Sequence, residues 1–331
     1  MDLSTTYLGL KLSNPFVAGP SPLTHRLESI KRLEDAGIAA IVLPSLFEDQ
    51  MMSEEMALFD SIDTPAESFP EALSYFAEPE RAIVEAETYM AHLAEVKKHT
   101  TVPVIGAINA VSAVRWKDYA VRMEQAGADA LELDFYYVAN DPAESGRRIE
   151  RRLIDALKRV KRNVHIPVSV KLTPFHTSLA HFARALEAEG ADGLTLLHRP
   201  YEADLDIDNL EPVRRLHLSD SRELLLRLRW LAIISGNVSC SLAASGGVHS
   251  VEDTVKAIMT GADCVHLCSA LQKNGIEHLK TLRERLATWL ELHEYESVRQ
   301  MRGSMNIEHI PDPKALSRAH YMHLVSSWGA R

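Results

Sequence analysis

Cysteine is scarce in this chain: three in 331 residues, at Cys240, Cys264 and Cys268. A small, odd number argues against a disulfide framework and suits a reducing cytoplasm. No apolar run approaches the roughly 20 residues that cross a bilayer. The opening residues, MDLSTTYLGLKLS, have neither the basic start nor the apolar stretch of a secretory signal. Basic runs are missing too. Lys and Arg number 36 against 46 Asp and Glu, a net charge of −10 with a pI near 5.8. Neither nucleic acid nor an anionic membrane is therefore an expected partner. Low-complexity tracts and interdomain linkers are absent. These gaps suit a cytoplasmic protein and leave its substrate open.

What is present is repetition. Four segments say nearly the same thing: LEDAGIAAIVLPS (33–45), MEQAGADALELDF (123–135), LEAEGADGLTLLHR (186–199) and IMTGADCVHLCSA (258–270). Each ends an amphipathic helix, stops it on glycine and starts an apolar strand. Phe16–Ala18, Val102–Asn109, Val168–Leu172 and Cys240–Ala244 supply four more apolar strands. Strands that are apolar throughout and alternate with helices form a parallel sheet covered on its outer face. Eight in order predict a closed (β/α)8 barrel, a TIM barrel, over residues 1–310. TTYLGLKLSNPF reads as a hairpin plugging its floor, and Pro311-Asp312-Pro313 as the start of one tail helix running to Trp328, within residues 311–331. Two connections are too long for simple turns: residues 46–79 before a helix Glu80–His99, and residues 200–239, where Asp220 and Glu223 are spaced like a capping box.

Alternation along the strands selects what faces the barrel mouth. Leu131, Leu133 and Phe135 share one face and must meet the helices, so Glu132, Asp134 and Tyr136 point inward. By the same logic Lys171 points inward. It is either a structural ion pair with Glu132 or Asp134, a partner for an anionic ligand, or a Schiff-base lysine. Asn109 ends strand three and His198-Arg199 ends strand six. Cys264, His266 and Cys268 share a face of strand eight, but no fourth zinc ligand converges on them. After strand seven, Ser245-Gly246-Gly247 precedes a helix that opens near Ser250. Either this is only a tight turn, or its exposed amides and the helix start together hold a phosphate.

The chain resembles the dihydroorotate dehydrogenase family, class 1 type, from about Leu3 to Gly303. The likeness rests on TTYLGLKLSNPF with AGPS after strand one, on VKLTPF around Lys171, on SGGVHSVEDTVKAIMTGADCVHLCSALQKNG and on EYESVRQMRG. The resemblance implies FMN. Its phosphate would rest on Ser245, Gly246, Gly247, Ser269 and Ala270. Ala18, Gly19 and Ser45 would lie along the ring, with Lys171 near N1 and O2 and with Asn109, Glu132 and His198 as polar groups facing the cofactor. It also implies a homodimer. Departures concentrate in the substrate half. Pro44 stands where the family has a lysine, Phe135 where it has a cysteine base, and AESFPE (66–71) where it has an asparagine-rich loop. Tyr136, Tyr137, His176 and Glu67 are the candidate replacement acids or bases. The resulting expectation is an FMN-dependent oxidoreductase acting on a dihydropyrimidine-like or other small CH–CH substrate. Its electron-acceptor protein would carry any iron–sulfur cluster, since this chain has no cysteine set for one. A flavin-free lyase or aldolase using Lys171 on a phosphorylated substrate is the alternative, and a non-catalytic flavin-binding partner is a third reading.

Overall fold

The computed structural model describes residues 1–47, 86–109, 113–199, 203–213, 216–318 and 321–328. Strands β1 (Thr5–Tyr7) and β2 (Leu10–Leu12) pair antiparallel, Thr5 opposite Leu12. Then follow β3 (Phe16–Ala18), β4 (Ala40–Val42), the two-residue β5 (Leu46–Phe47), β6 (Val104–Asn109), β7 (Ala130–Asp134), β8 (Val168–Leu172) and β9 (Gly193–Leu196). A small antiparallel pair, β10 (Asp204–Asp206) and β11 (Glu211–Val213), precedes β12 (Ser241–Ser245) and β13 (Cys264–Leu267). The parallel pairings run β3–β4–β6–β7–β8–β9–β12–β13, and β13 pairs back onto β3 through Val265 and Phe16. That last pairing closes the eight-stranded barrel. β5 lengthens the second strand and pairs with the end of β6.

The two faces of each strand separate as alternation requires. Outward residues such as Ile41, Leu131, Leu133, Val170 and Leu194 pack under the helices. Inward residues Val17, Ala40, Val42, Ile105, Ala107, Ala130 and Ala243 form a second cluster with Tyr7, Leu8 and Leu12 of the hairpin. Small strand residues leave the barrel floor hollow, and the hairpin fills it. Burying each such Leu contributes about 2 kcal/mol. Tyr7 can go in because its hydroxyl meets Ser169 Oγ at 3.1 Å and Thr195 Oγ1 at 3.3 Å.

The repeated Gly-Ala-Asp has a structural reason. Asp129, Asp192 and Asp263 each accept the amide of the neighbouring strand's Val104, Val168 or Leu242, at 2.7, 2.7 and 2.8 Å. Lys97, Lys161 and Arg302 balance those carboxylates, Lys97 at 2.6 Å and Lys161 at 2.5 Å. Strand register at the barrel base is thereby locked by charge-assisted bonds. The helices follow their apolar spacing. In Gly146–Lys161, Ile149, Leu153, Ala156, Leu157 and Val160 are buried, Ser145 caps the start through the Arg148 amide, and Lys158, Arg159 and Lys161 fill the last turn.

Three details differ from the sequence expectation. The tail is not one helix but two short ones, Lys314–Ser317 and Tyr321–Trp328, because the chain turns extended at Arg318. Asp220 caps a short 3-10 turn through the Arg222 amide, and the helix Leu224–Ser235 starts only beyond Glu223. Most of the first excursion, with Glu67 and AESFPE, lies outside the described residues, and the helix placed from Glu80 is described from Ala86.

Candidate functional site

A cavity of about 540 Å³ opens at the C-terminal end of the barrel strands. That is the volume of a site for a small ligand or cofactor, at the end of the fold where such sites are built. Seven of the residues expected to face the cofactor line it: Gly19, Ser45, Lys171, His198, Ser245, Gly246 and Ser269. Asp134, Arg199, His266, Cys268, Leu216 and Ser219 join them. Ala18, Asn109, Glu132, Gly247 and Ala270 stand immediately behind this wall. Asn109 donates to the carbonyls of Asp134 and Tyr136 at 2.9 and 3.2 Å, which fixes the end of β7.

The inner wall is a charged network built on adjacent strands. β7 and β8 set Asp134 beside Lys171 in register. Lys171 Nζ lies 3.5 Å from Glu132 Oε1, and Glu132 Oε2 accepts from the Thr195 hydroxyl at 2.7 Å. Asp134 Oδ2 meets His198 Nε2 at 3.4 Å and accepts from the Ser45 hydroxyl at 3.3 Å. Burial raises the Asp134 pKa, but the Lys171 ammonium and the His198 imidazole outweigh it and hold the carboxyl below its ordinary value. Asp134 Oδ1 and both ring nitrogens of His266 are buried with no hydrogen bond among the described residues. Unmet polar atoms on a cavity wall are what a bound polar ring would satisfy.

His266 makes a prediction about stability. Burial above all, reinforced by the Lys171 charge, drops its pKa from 6.5 to about 4 against the pull of Glu132. Below pH 6.5 the unfolded chain takes up a proton that the folded chain refuses until about pH 4. The contribution is therefore complete above pH 6.5 and falls by roughly 3 kcal/mol as pH drops through that window. Thermal melts between pH 7 and 4 should show a shallower loss of stability in His266→Gln than in the wild type.

The rim after β12 and β13 carries the glycine turn. Gly246 and Gly247 have φ of 86° and 82°. A Cβ on Gly246 would come within 2.9 Å of the Arg227 guanidinium, and one on Gly247 within 2.5 Å of the Leu224 backbone nitrogen. Gly246 lines the cavity with Arg227 packed against its Cβ side, while Gly247 lets the loop press against the start of the helix Leu224–Ser235. Arg227, buried at 4% exposure, donates to the carbonyls of Ser245, Glu223 and Leu197. No carboxylate bonds it among the described residues, and burial lowers its pKa. A buried cation behind a glycine turn, with Ser219, Ser245 and Ser269 around it, suits a phosphate.

Several donors at the start of Val251–Met259 are already taken. Asp253 accepts the amides of His249 and Ser250 at 3.0 and 3.1 Å, and Ser250 closes the box onto the Asp253 amide. Asp253 thus takes the two amides just before the helix, beside the glycine turn.

The candidate acids and bases scatter. Tyr136 stacks on His198, ring centroids 4.5 Å apart. Tyr137 turns outward: its hydroxyl donates to Glu144 at 2.7 Å and the Arg152 guanidinium covers its ring. His176 tucks between Glu150 at 3.6 Å and the Phe182 ring, with its pKa lowered by burial. The structure brings neither to the cavity. Phe135 is buried edge-on against Trp116 in the helix layer and does not line the cavity. Arg227 and Ser219 were missed in the sequence. An arginine in a helix otherwise rich in leucine, LLLRLRWLAIIS, was the available signal.

Known proteins resemble this chain along most of its length. The family model described as dihydroorotate dehydrogenase matches residues 85–290. The catalytic subunit of dihydroorotate dehydrogenase B (NAD(+)) from Thermoplasma volcanium is 27% identical over 310 residues, 91% of this chain and 98% of that protein. The chloroplastic dihydropyrimidine dehydrogenase (NADP(+)) of Arabidopsis thaliana is 22% identical, covering 91% of this chain and 76% of its own. Subunit PreA of the NAD-dependent dihydropyrimidine dehydrogenase of Escherichia coli K12 is 21% identical, over 94% and 78%.

Proposed function

The chain belongs to the dihydroorotate dehydrogenase family of oxidoreductases, and from that footing we propose that it is an FMN enzyme acting on the CH–CH bond of a dihydropyrimidine-like ring. The observation that carries the proposal is that Lys171 and the Gly246 turn line one cavity. The cation and the phosphate seat are thus both within reach of a single nucleotide. Gly246, Ser245 and Ser269 would hold the phosphate, with Arg227 behind them. Gly19 and Ser45 would flank the ring, and Lys171 would stand beside its pyrimidine edge. When bound, FMN supplies the two-electron chemistry that no side chain offers. Lys171, paired with Glu132 at 3.5 Å, would stabilise negative charge gathering on the ring edge on reduction. A Schiff-base lyase would instead need that side chain out of the ion pair.

The relatives' names as a catalytic subunit and as subunit PreA support a partner protein that takes the electrons. A homodimer is the arrangement we propose for the chain itself. The purified protein should be yellow, and should bleach anaerobically on adding dihydroorotate or 5,6-dihydrouracil. A colourless protein that does not take up added FMN would refute the flavin. A yellow protein that neither compound bleaches would refute the substrate class.

A further inference from the structure

We propose that the first half of the helix Gly146–Lys161 is the docking face for an acidic redox protein that exchanges electrons with the site. This rests on the flavin reading above and gives its electron partner a surface and a charge. The whole chain carries a net charge of −10. This one helix holds seven cations against two carboxylates, a net +5, which leaves −15 on everything else. The helices on either side do not neutralise it. Ala113–Gln125 has three cations against two carboxylates, and Leu179–Ala188 has one of each. A cationic face on an otherwise acidic molecule attracts an acidic partner and orients it, because the rest of the surface repels it.

Position along the helix singles out its first half. Arg147, Arg148, Arg151 and Arg152 fall in the first two turns, all exposed, and no acidic residue stands in the first turn. A helix start is the positive end of the dipole, where carboxylates are favourable and cations are not. In the last turn the cations have structural partners: Lys158 pairs with Glu189 at 2.8 Å and Lys161 with Asp192 at 2.5 Å. Of the four arginines, only Arg152 has an ion pair among the described residues, with Glu144 at 2.6 Å. Arg147 and Arg151 instead line a groove of about 280 Å³ against His181, where with Lys158 they outnumber the carboxylates Glu150 and Asp155. Two guanidinium groups one turn apart beside an open groove suit a carboxylate side chain arriving from outside. A local rule broken with no structural return is the mark of a functional face.

The face also lies beside the cavity. The helix follows β7, so it begins at the end of the barrel where the strands stop and the cavity opens. Asp134 and His198 line that cavity. The Tyr136 ring lies against the His198 ring at 4.5 Å, and the next residue, Tyr137, sits under the Arg152 guanidinium at 4.6 Å. Two consecutive tyrosines therefore join the cavity wall to the cationic face. Oxidation of the substrate releases two electrons and two protons. Two copies of a one-electron carrier take one electron each at this face, and the protons pass to solvent. Reduction of the substrate uses two reduced carriers and two protons from solvent.

Binding and electron transfer test this, with an acidic plant-type two-iron ferredoxin as the probe. Calorimetry on the apoprotein and on the flavin-loaded protein should each show one ferredoxin bound, about ten-fold or more weakly at roughly 300 mM salt than at roughly 20 mM. Arg147→Glu combined with Arg151→Glu should weaken that binding about ten-fold or more. The same variant should take up FMN as before and melt no lower than the wild type, since acids suit a helix start. Arg159→Glu, at the far end of the helix, should stay within about two-fold of the wild type. In the flavin-loaded protein, the rate at which reduced ferredoxin bleaches the flavin should follow the same order. Equal losses in the two variants would mean attraction by bulk charge and would overturn the docking face. So would a wild type that binds no ferredoxin, or one that binds a short DNA duplex more tightly. A colourless wild type refutes the flavin instead, and the apoprotein titration still decides the face.

Discussion

Lys171→Met is expected to give a protein that still binds FMN but turns over about 10²- to 10³-fold more slowly, with the flavin harder to reduce. The range is that for removing one fixed donor from the place where charge develops. The same change leaves Glu132, 1% exposed, as a buried carboxylate holding only the Thr195 hydroxyl at 2.7 Å. Stability should therefore fall too, by about 3–5 kcal/mol. The two effects separate in Lys171→Met combined with Glu132→Gln, which removes the stranded charge. Stability should return in the double variant and the rate should not. If Lys171 were only a structural ion pair, both would return together. Thermal melts and stopped-flow bleaching read the two outcomes independently.

Gly247→Ala should damage both stability and cofactor binding. The residue sits at φ 82°, where a Cβ costs about 1–2 kcal/mol. That Cβ would also lie 2.5 Å from the Leu224 nitrogen and 2.8 Å from its Cα, both backbone atoms that cannot rotate away. The start of Leu224–Ser235 must move, and with it Arg227 and its carbonyl bonds. We expect a total loss of about 3–5 kcal/mol and at least a hundred-fold weaker FMN binding. Gly275→Ala is the control. It has φ 81° but nothing within 4 Å of the added Cβ, so it should cost only the conformational part and leave FMN binding unchanged.

Much of the fold could be read from residue order because its physics is local. A helix that stops on glycine and feeds an apolar strand is a short pattern, and four copies of it imply the ring that β13 closes onto β3. Alternation placed Glu132, Asp134 and Lys171 inside, since strand side chains have no other choice. Past the strand ends that logic stops. Tyr137 and His176 lie in connections whose direction is set by Arg152, Glu150 and Phe182, side chains of neighbouring helices that strand alternation does not reach. Phe135 is the converse: alternation turns it outward, and it packs against Trp116. At the phosphate rim, the glycines were legible as a turn. Asp253 closing the helix start and Arg227 arriving from another helix are tertiary facts.

The account turns on one cavity holding a nucleotide by its phosphate at the Gly246 turn and by its ring at Lys171. Binding of FMN and of riboflavin to the apoprotein, followed by quenching of flavin fluorescence, tests this most directly. The two ligands differ only in the phosphate. The account predicts one tight FMN site and riboflavin binding weaker by at least a hundred-fold, with the gap shrinking in Arg227→Met. Equal affinity for the two, or no binding of either, would contradict it.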